Sequence, residues 1–153
     1  MKGWLGHTHV GDCRDLLRAM IEDQVRVQMC VTSPPYWRLR DYGIHGQVGL
    51  EQTFEEYVAE LVAVFRLVRE LLTSDGTLWL NLGDCYAIGG RPGISNLAKL
   101  GRRFTGGGHK HRLIRKPTRS VPRGMKAKDL LGLPWAVAFA LRADGWFLRS
   151  DIV

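Results

Sequence analysis

Two adjacent prolines, Pro34 and Pro35, close an apolar run that extends from Val25 to Thr32. No other feature constrains the fold of this chain as tightly. Val25, Val27, Met29 and Val31 alternate over one strand length, the pattern of a β-strand buried in a sheet. Proline has no N–H to give to a ladder and its ring fixes φ, so the strand must end where the pair begins. The pair makes a stiff turn at the carboxyl end of a strand, the place where open α/β sheets bind ligands. Ser33 and Tyr36 bracket the turn. A small hydroxyl, rigid carbonyls and an aromatic ring together suit a flat, polar substrate such as a nucleobase.

The pattern around this turn predicts alternating elements. His7 to Gly11 has the look of a short strand, and Asp15 to Met20 that of one or two helical turns. Trp37 to Leu50 is a polar loop punctuated by Gly43, Gly46 and Gly49. Thr53 with Glu56 three residues later forms a capping box. The apolar positions Phe54, Tyr57, Val58, Leu61, Val62, Phe65, Val68, Leu71 and Leu72 then recur at helical spacing. Asp75-Gly76 marks a turn, Thr77 to Leu82 a second buried strand, and Gly83-Asp84 its end. Asp129 to Ala143 predicts a helix with Pro134 in its first turn and Asp129 to Gly132 leading into it. Trp146 to Val153 predicts the start of a third major strand. Strand, helix, strand, helix, strand is the order of a parallel α/β sheet with flanking helices. A sequence that stops inside a strand implies a partial sheet, incomplete at its C-terminus.

Charge is segregated along the chain. Twelve Lys and Arg and no Asp or Glu lie between Asp84 and Asp129, whereas the remainder holds ten basic residues against fifteen acidic ones. The net charge of +7 is therefore one basic segment on a mildly acidic body, a localised polyanion contact. Nucleic acid is the favoured partner, with a solvated loop that binds nothing specific as the alternative. Residues 85–128, with eight glycines, three prolines and no sustained periodicity, are too long for an ordinary connection. They are expected to form a basic loop insert in one partial domain spanning 1–153. Arg102, Arg103, Lys110, Arg112, Arg115, Lys116 and Arg119 are the candidate phosphate contacts, with double-stranded DNA as partner.

At 153 residues the chain can build one real core but not two. No apolar run approaches the roughly 20 residues that span a bilayer, and the N-terminus lacks a signal-peptide stretch. Cytoplasmic residence, away from membranes, is the expectation. Cys13, Cys30 and Cys85 are odd in number and far apart, so reduced thiols are expected, with Cys30 in a packing role. His7-x-His9 and His109-x-His111 lack a third ligand at metal spacing beyond Asp12, and no metal is expected.

Thr32-Ser33-Pro34-Pro35-Tyr36-Trp37, with Gly11-Asp12-Cys13 upstream and Leu80-Asn81-Leu82-Gly83-Asp84 downstream, resembles the amino-methylating DNA methyltransferases. Trp37 to Gly43, Gly46 to Glu51, Asp75 to Asp84 and Arg149 to Val153 are similar to that family in the same order. The resemblance implies a Rossmann-like fold that uses S-adenosylmethionine to methylate the exocyclic amino group of a flipped base. It implies Ser33, Pro34, Pro35 and Tyr36 as the catalytic motif. Ser33 Oγ and the Pro34 carbonyl would accept from the amino group while Tyr36 stacks on the base. Serine at the first position favours cytosine N4 over adenine N6. Asp12, Cys13 and Ser33 are the implied cofactor contacts, with a structural turn or cap as the other role open to Asp12. For Asp84, capping or turn formation is the better expectation. Trp37 and Tyr42 either extend the base-facing surface or sit at the core edge.

One departure stands out. The family's glycine-rich D-P-F-x-G-x-G cofactor motif is missing, since no Gly-x-Gly follows a strand here. In a permuted class of these enzymes that motif lies near the C-terminus, so the chain resembles an N-terminal catalytic half that is inactive alone. A complementary C-terminal half or a second copy would then be a partner. A catalytically silent DNA-binding remnant, and an amino-methyltransferase acting on RNA or a protein amide, are the alternatives.

Overall fold

The structure, a computed structural model, describes residues 3–87, 121 and 124–152. Among the described residues five elements occur in order: α1 (Cys13–Glu22), β1 (Val27–Thr32), α2 (Phe54–Leu71), β2 (Leu72–Leu80) and α3 (Leu133–Ala143). They belong to one compact unit, Met1–Cys85 with Leu131–Val153, while Tyr86–Leu130 forms a second. β1, α2 and β2 make one parallel crossover, the smallest piece of a parallel α/β sheet.

α2 organises the first unit. Its capping box is complete: Glu56 N donates to Thr53 Oγ1 at 3.2 Å and Thr53 N donates to Glu56 Oε2 at 3.0 Å. Such a box is worth about 1 kcal/mol. Burial of one large apolar side chain is worth about 1.5–3 kcal/mol, and Tyr57, Leu61, Phe65, Val68 and Leu71 are all buried along one stripe of α2. Packing therefore holds this helix in place, while the cap fixes where it starts. α1 and α3 both pack on α2. α3 contributes Leu133, Val137 and Leu141, spaced by four residues on one face.

The far end of α3 is tied down by Asp144, which caps the helix and accepts from Arg66 Nε at 2.7 Å. That bond draws the Asp144 carboxyl below its usual range. Arg66 is well exposed, so the pair orients more than it stabilises.

The two strands pair as Met29 with Thr77, Cys30 with Leu78, Val31 with Trp79 and Thr32 with Leu80. The ladder is irregular between Val27 and Met29, because Val27 pairs with Leu72 and the segment around Asp75-Gly76 bulges out. The turn expected there is thus absorbed into β2, which begins directly after α2. Cys30, Thr32, Leu78 and Leu80 are half-buried on one face, while Met29, Val31 and Trp79 are exposed on the other by 56%, 70% and 49%. The Val–Met alternation, expected to be buried, lies on this open face. Only Val25, just before β1, is buried.

Two expected strands are absent from the described residues. Residues 7–10 and 146–152 carry no strand, with Val10 and Phe147 almost fully exposed. Apolar alternation makes a strand only where a neighbour supplies a ladder, and among the described residues neither segment has one. The last helical expectation is met: α3 starts at Leu133, with Pro134 in its first turn and Asp129 to Gly132 leading into it.

In the second unit, Tyr86 and Leu130 form an antiparallel bridge, Ala87 N donates to Asp129 O at 2.7 Å, and Lys128 N donates to Ala87 O at 2.6 Å. The two ends of the basic segment are thereby paired. Most of that segment lies outside the described residues. No described helix is long and apolar enough to cross a membrane.

Candidate active site

β1 and β2 end side by side, with Asn81 N donating to Thr32 O at 2.9 Å. Ser33, Pro34, Pro35 and Tyr36 leave the sheet at this edge. Ser33 is exposed, and the next three residues are half-buried. The Ser33 and Tyr36 hydroxyls stand 3.4 Å apart, so the two polar groups of the motif share one spot. The Tyr36 ring lies on Gly83, in the loop after β2. A Cβ at Gly83 would come within 2.6 Å of Tyr36 Cε2, closer than any real Cβ contact. Glycine is the residue that lets the ring settle there.

The turn is also held by α2 and by the loop between Tyr36 and that helix. Tyr57, fully buried in the first turns of α2, donates its hydroxyl to the Pro35 carbonyl at 3.0 Å. Burial pushes the Tyr57 hydroxyl pKa up, and the nearby Glu51 pushes it the same way, so it remains a protonated donor. Gly49, with φ of 98°, packs so closely that a Cβ would meet the Tyr36 and Pro35 carbonyls at 3.1 and 3.2 Å. Arg38 N donates to Gly49 O at 2.6 Å, and Gly49 N donates to both Glu51 carboxylate oxygens at 3.0 Å. Trp37 is buried, edge-on to Phe54 with ring centres 6.2 Å apart, and its Nε1 donates to Glu51 O at 3.2 Å. Trp37 is thus a core-edge residue, whereas Tyr42 is exposed.

Asp12 and Cys13 stand at the start of α1. Asp12 is its N-cap: Oδ1 accepts from Arg14 N and Nε at 2.9 Å, and Oδ2 accepts from Arg14 Nη2 at 2.5 Å. The Arg14 hydrogen bond holds the Asp12 carboxyl down at about 2. Arg14 also reaches Glu60 Oε1 at 2.6 Å and Gly46 O at 2.9 Å, joining α1, α2 and the loop after Tyr36. An open cleft of about 320 Å³ is lined by Arg14, Ile44, Gln47, Leu50, Glu51 and Glu60. Burial, and then the Asp12 charge, push the Cys13 thiol up. Burial alone does the same for Cys30, as a packing role requires.

Asp84 has a defined partner. Its carboxylate accepts from Gly132 N at 3.0 Å and Leu133 N at 3.1 Å, filling the bare N-terminus of α3 across forty-eight positions of sequence. Gly132, the N-cap residue itself, offers no side chain for that task. Arg102, Arg103, Lys110, Arg112, Arg115, Lys116 and Arg119 lie outside the described residues. Among the described residues no group of three His, Cys, Asp or Glu could hold a metal ion.

The sequence pattern missed Tyr57, Gly83, Gly49 and Arg14. A tyrosine within an aliphatic helix stripe is the one signal that could have been taken further, because a buried hydroxyl needs a partner. The other three act through contacts to residues far away in the chain.

A parallel α/β crossover with a Ser-Pro-Pro-Tyr turn at its strand ends is the arrangement that the resemblance to amino-methyltransferases implies. The DNA methylase family model, which covers the N6 and N4 enzymes, matches residues 27–153, and the chain belongs to that family. It is 47% identical over 145 residues to the Type II methyltransferase M.SmaI of Serratia marcescens, covering 94% of this chain and 45% of that one. It is 46% identical to the Type II methyltransferase M.XycI of Xanthomonas campestris pv. cyanopsidis and 45% identical to M.Cfr9I of Citrobacter freundii, in each case over 94% of this chain and 44% of the relative. The chain spans less than half the length of these relatives. No solved structure matches it.

Proposed function

We propose that this chain carries the base-binding and catalytic turn of a Type II DNA methyltransferase that methylates the exocyclic amino group of a flipped base, cytosine N4 in preference to adenine N6. The observation that carries this reading is the Ser33–Tyr36 turn at the paired ends of β1 and β2, with Tyr36 laid on Gly83 and the Pro35 carbonyl fixed from α2.

An exocyclic amino nitrogen is a poor nucleophile because its lone pair is delocalised into the ring. Ser33 Oγ and the Pro34 carbonyl are the acceptors proposed for its two N–H groups, drawing the nitrogen toward tetrahedral geometry. Tyr36 offers its ring to the base, which must leave the duplex to reach such a turn. No covalent link to the protein is required.

S-adenosylmethionine is the proposed cofactor and supplies an electrophilic methyl group when bound. The Asp12 carboxylate suits its adenine amino group: Oδ2 makes one bond to Arg14, keeps acceptor capacity, and the side chain is 38% exposed. Cys13 and Ser33 complete the proposed contacts. A backbone cradle for the methionine part is not offered by any Gly-x-Gly after a strand in this sequence. We therefore assign that role to the portion of the protein that the longer relatives possess and this chain does not span. A complementary segment or a second copy would supply it, and the isolated chain would be inactive. The relatives' Type II names support a place beside a restriction enzyme.

The test is methyl transfer from labelled S-adenosylmethionine to duplex DNA by the full-length methyltransferase carrying this sequence, with nucleoside analysis of the product. N4-methylcytosine is the expected product. Tyr36→Ala should cost about 1–3 kcal/mol of transition-state binding, the worth of a base–aromatic stack, while duplex binding stays intact. Full activity in Tyr36→Ala would refute the role given to the ring.

A further inference from the structure

We propose that Tyr57 is a positioning residue for the Ser33–Tyr36 turn, its hydroxyl fixing the Pro35 carbonyl so that the rest of the turn is presented in one geometry. This inference rests on the methyltransferase reading of that turn.

Prolines lack the group that usually anchors a turn. Pro34 and Pro35 have no N–H, so this stretch of backbone cannot anchor itself by donating. Each ring makes the turn stiff within itself, but stiffness does not place it relative to the sheet. Placement has to come through packing and through carbonyls, which need donors from elsewhere in the fold. Tyr57 Oη is such a donor, 3.0 Å from Pro35 O and twenty-two positions away in sequence.

The anchor stands on firm ground. Tyr57 directly succeeds Glu56 of the capping box, is fully buried, and heads the apolar stripe of α2. Phenylalanine would fill the same space without burying a hydroxyl, whose burial is costly unless it is hydrogen-bonded. Gly49 crowds the same carbonyl closely enough that even a methyl group would press on it. Pro35 O thus has both a donor and a close backbone neighbour. Tyr36, the next residue, is held at its ring by Gly83. The consequence is a division of labour within the double proline: the Pro35 carbonyl serves the fold, which leaves Ser33 and the Pro34 carbonyl to serve the substrate.

Tyr57→Phe removes one oxygen and keeps the ring, and it separates positioning from packing. In the full-length methyltransferase, kcat should fall about 10–100-fold, the cost of a turn displaced by a fraction of an ångström. KM for DNA and for S-adenosylmethionine should stay within about threefold, since Tyr57 is fully buried. In the present chain, carbonyl 13C and amide 15N NMR should show a shifted Pro35 carbonyl and new exchange broadening at the Tyr36 and Trp37 amides. An unchanged kcat with an unchanged Pro35 carbonyl overturns the proposal. A Tyr57→Phe chain that no longer folds overturns it as well, because the hydroxyl would then hold the core and not the turn. Should the wild-type enzyme transfer no methyl group to DNA, the functional reading fails on its own, and the carbonyl shift still decides whether Tyr57 anchors the turn.

Discussion

Asp12 shows how much a single side chain can do at the start of a helix. It caps α1 through the Arg14 amide and pairs with the Arg14 guanidinium, which in turn binds Glu60 and the Gly46 carbonyl. The folded Asp12 carboxyl lies at about 2, below its ordinary 3.8. A carboxyl whose folded pKa is depressed stabilises the fold above its unfolded pKa and loses that contribution as protons reach it. The Asp12 contribution is therefore complete above about pH 4 and disappears as the pH falls toward 2. Asp12→Asn keeps an oxygen for the cap and removes the titration. Thermal melting of the two chains at a series of pH values should show a smaller loss of Tm for Asp12→Asn over that window. Parallel curves would assign the acid sensitivity to other groups. At this scale the Ser33-Pro34-Pro35-Tyr36 turn was legible because its chemistry is local: two prolines dictate a stop wherever they occur. The Arg14–Glu60 bond was not legible, since forty-six positions, with β1 and the loop after it, separate the partners.

Among the elements, α2 was the most legible and also bears the most weight. Its cap and its period are both written within a few residues of each position, and it is observed from Phe54 to Leu71. The strands were harder. Their apolar alternation is also local, but a strand exists only through a neighbour, and residues 7–10 and 146–152 have none among the described residues. The cap and the stripe of α2 contribute unequally, and two variants measure the difference. Thr53→Ala breaks the side-chain half of the capping box and should cost about 1 kcal/mol. Phe65→Ala empties a site that is only 2% exposed and should cost about 3–5 kcal/mol. Urea denaturation of the chain and both variants checks the ratio, and equal losses would contradict the view that packing holds α2. Thr53→Ala carries a further consequence, because the first turn that it loosens contains Tyr57. Its exchange broadening at Tyr36 should resemble that of Tyr57→Phe, though weaker, since the hydroxyl remains.

Across the whole molecule, charge and chemistry are assigned to different stretches of sequence. The proposed catalytic turn sits in a body with fifteen acidic and ten basic residues, which by itself would repel a phosphate backbone. The twelve basic residues between Asp84 and Asp129 reverse that balance, and the ends of their segment are paired through Ala87, Lys128 and Asp129. If this segment is the DNA contact, affinity should come chiefly from released counterions, and its salt dependence should track the number of phosphates neutralised. Lys110, Arg112, Arg115, Lys116 and Arg119 fall within ten residues of one another. Replacing all five with glutamine should flatten the plot of log affinity against log salt by up to about 4.5, at roughly 0.9 per phosphate contact on duplex DNA. Anisotropy titrations of a labelled duplex over a range of potassium chloride concentrations measure that slope directly. Arg18 and Arg142, on α1 and α3, provide the control. Their replacement removes charge from the body and should lower affinity slightly without changing the slope by more than about one contact each. Equal slopes for the five-fold variant and the wild type would move the DNA contact away from these five residues.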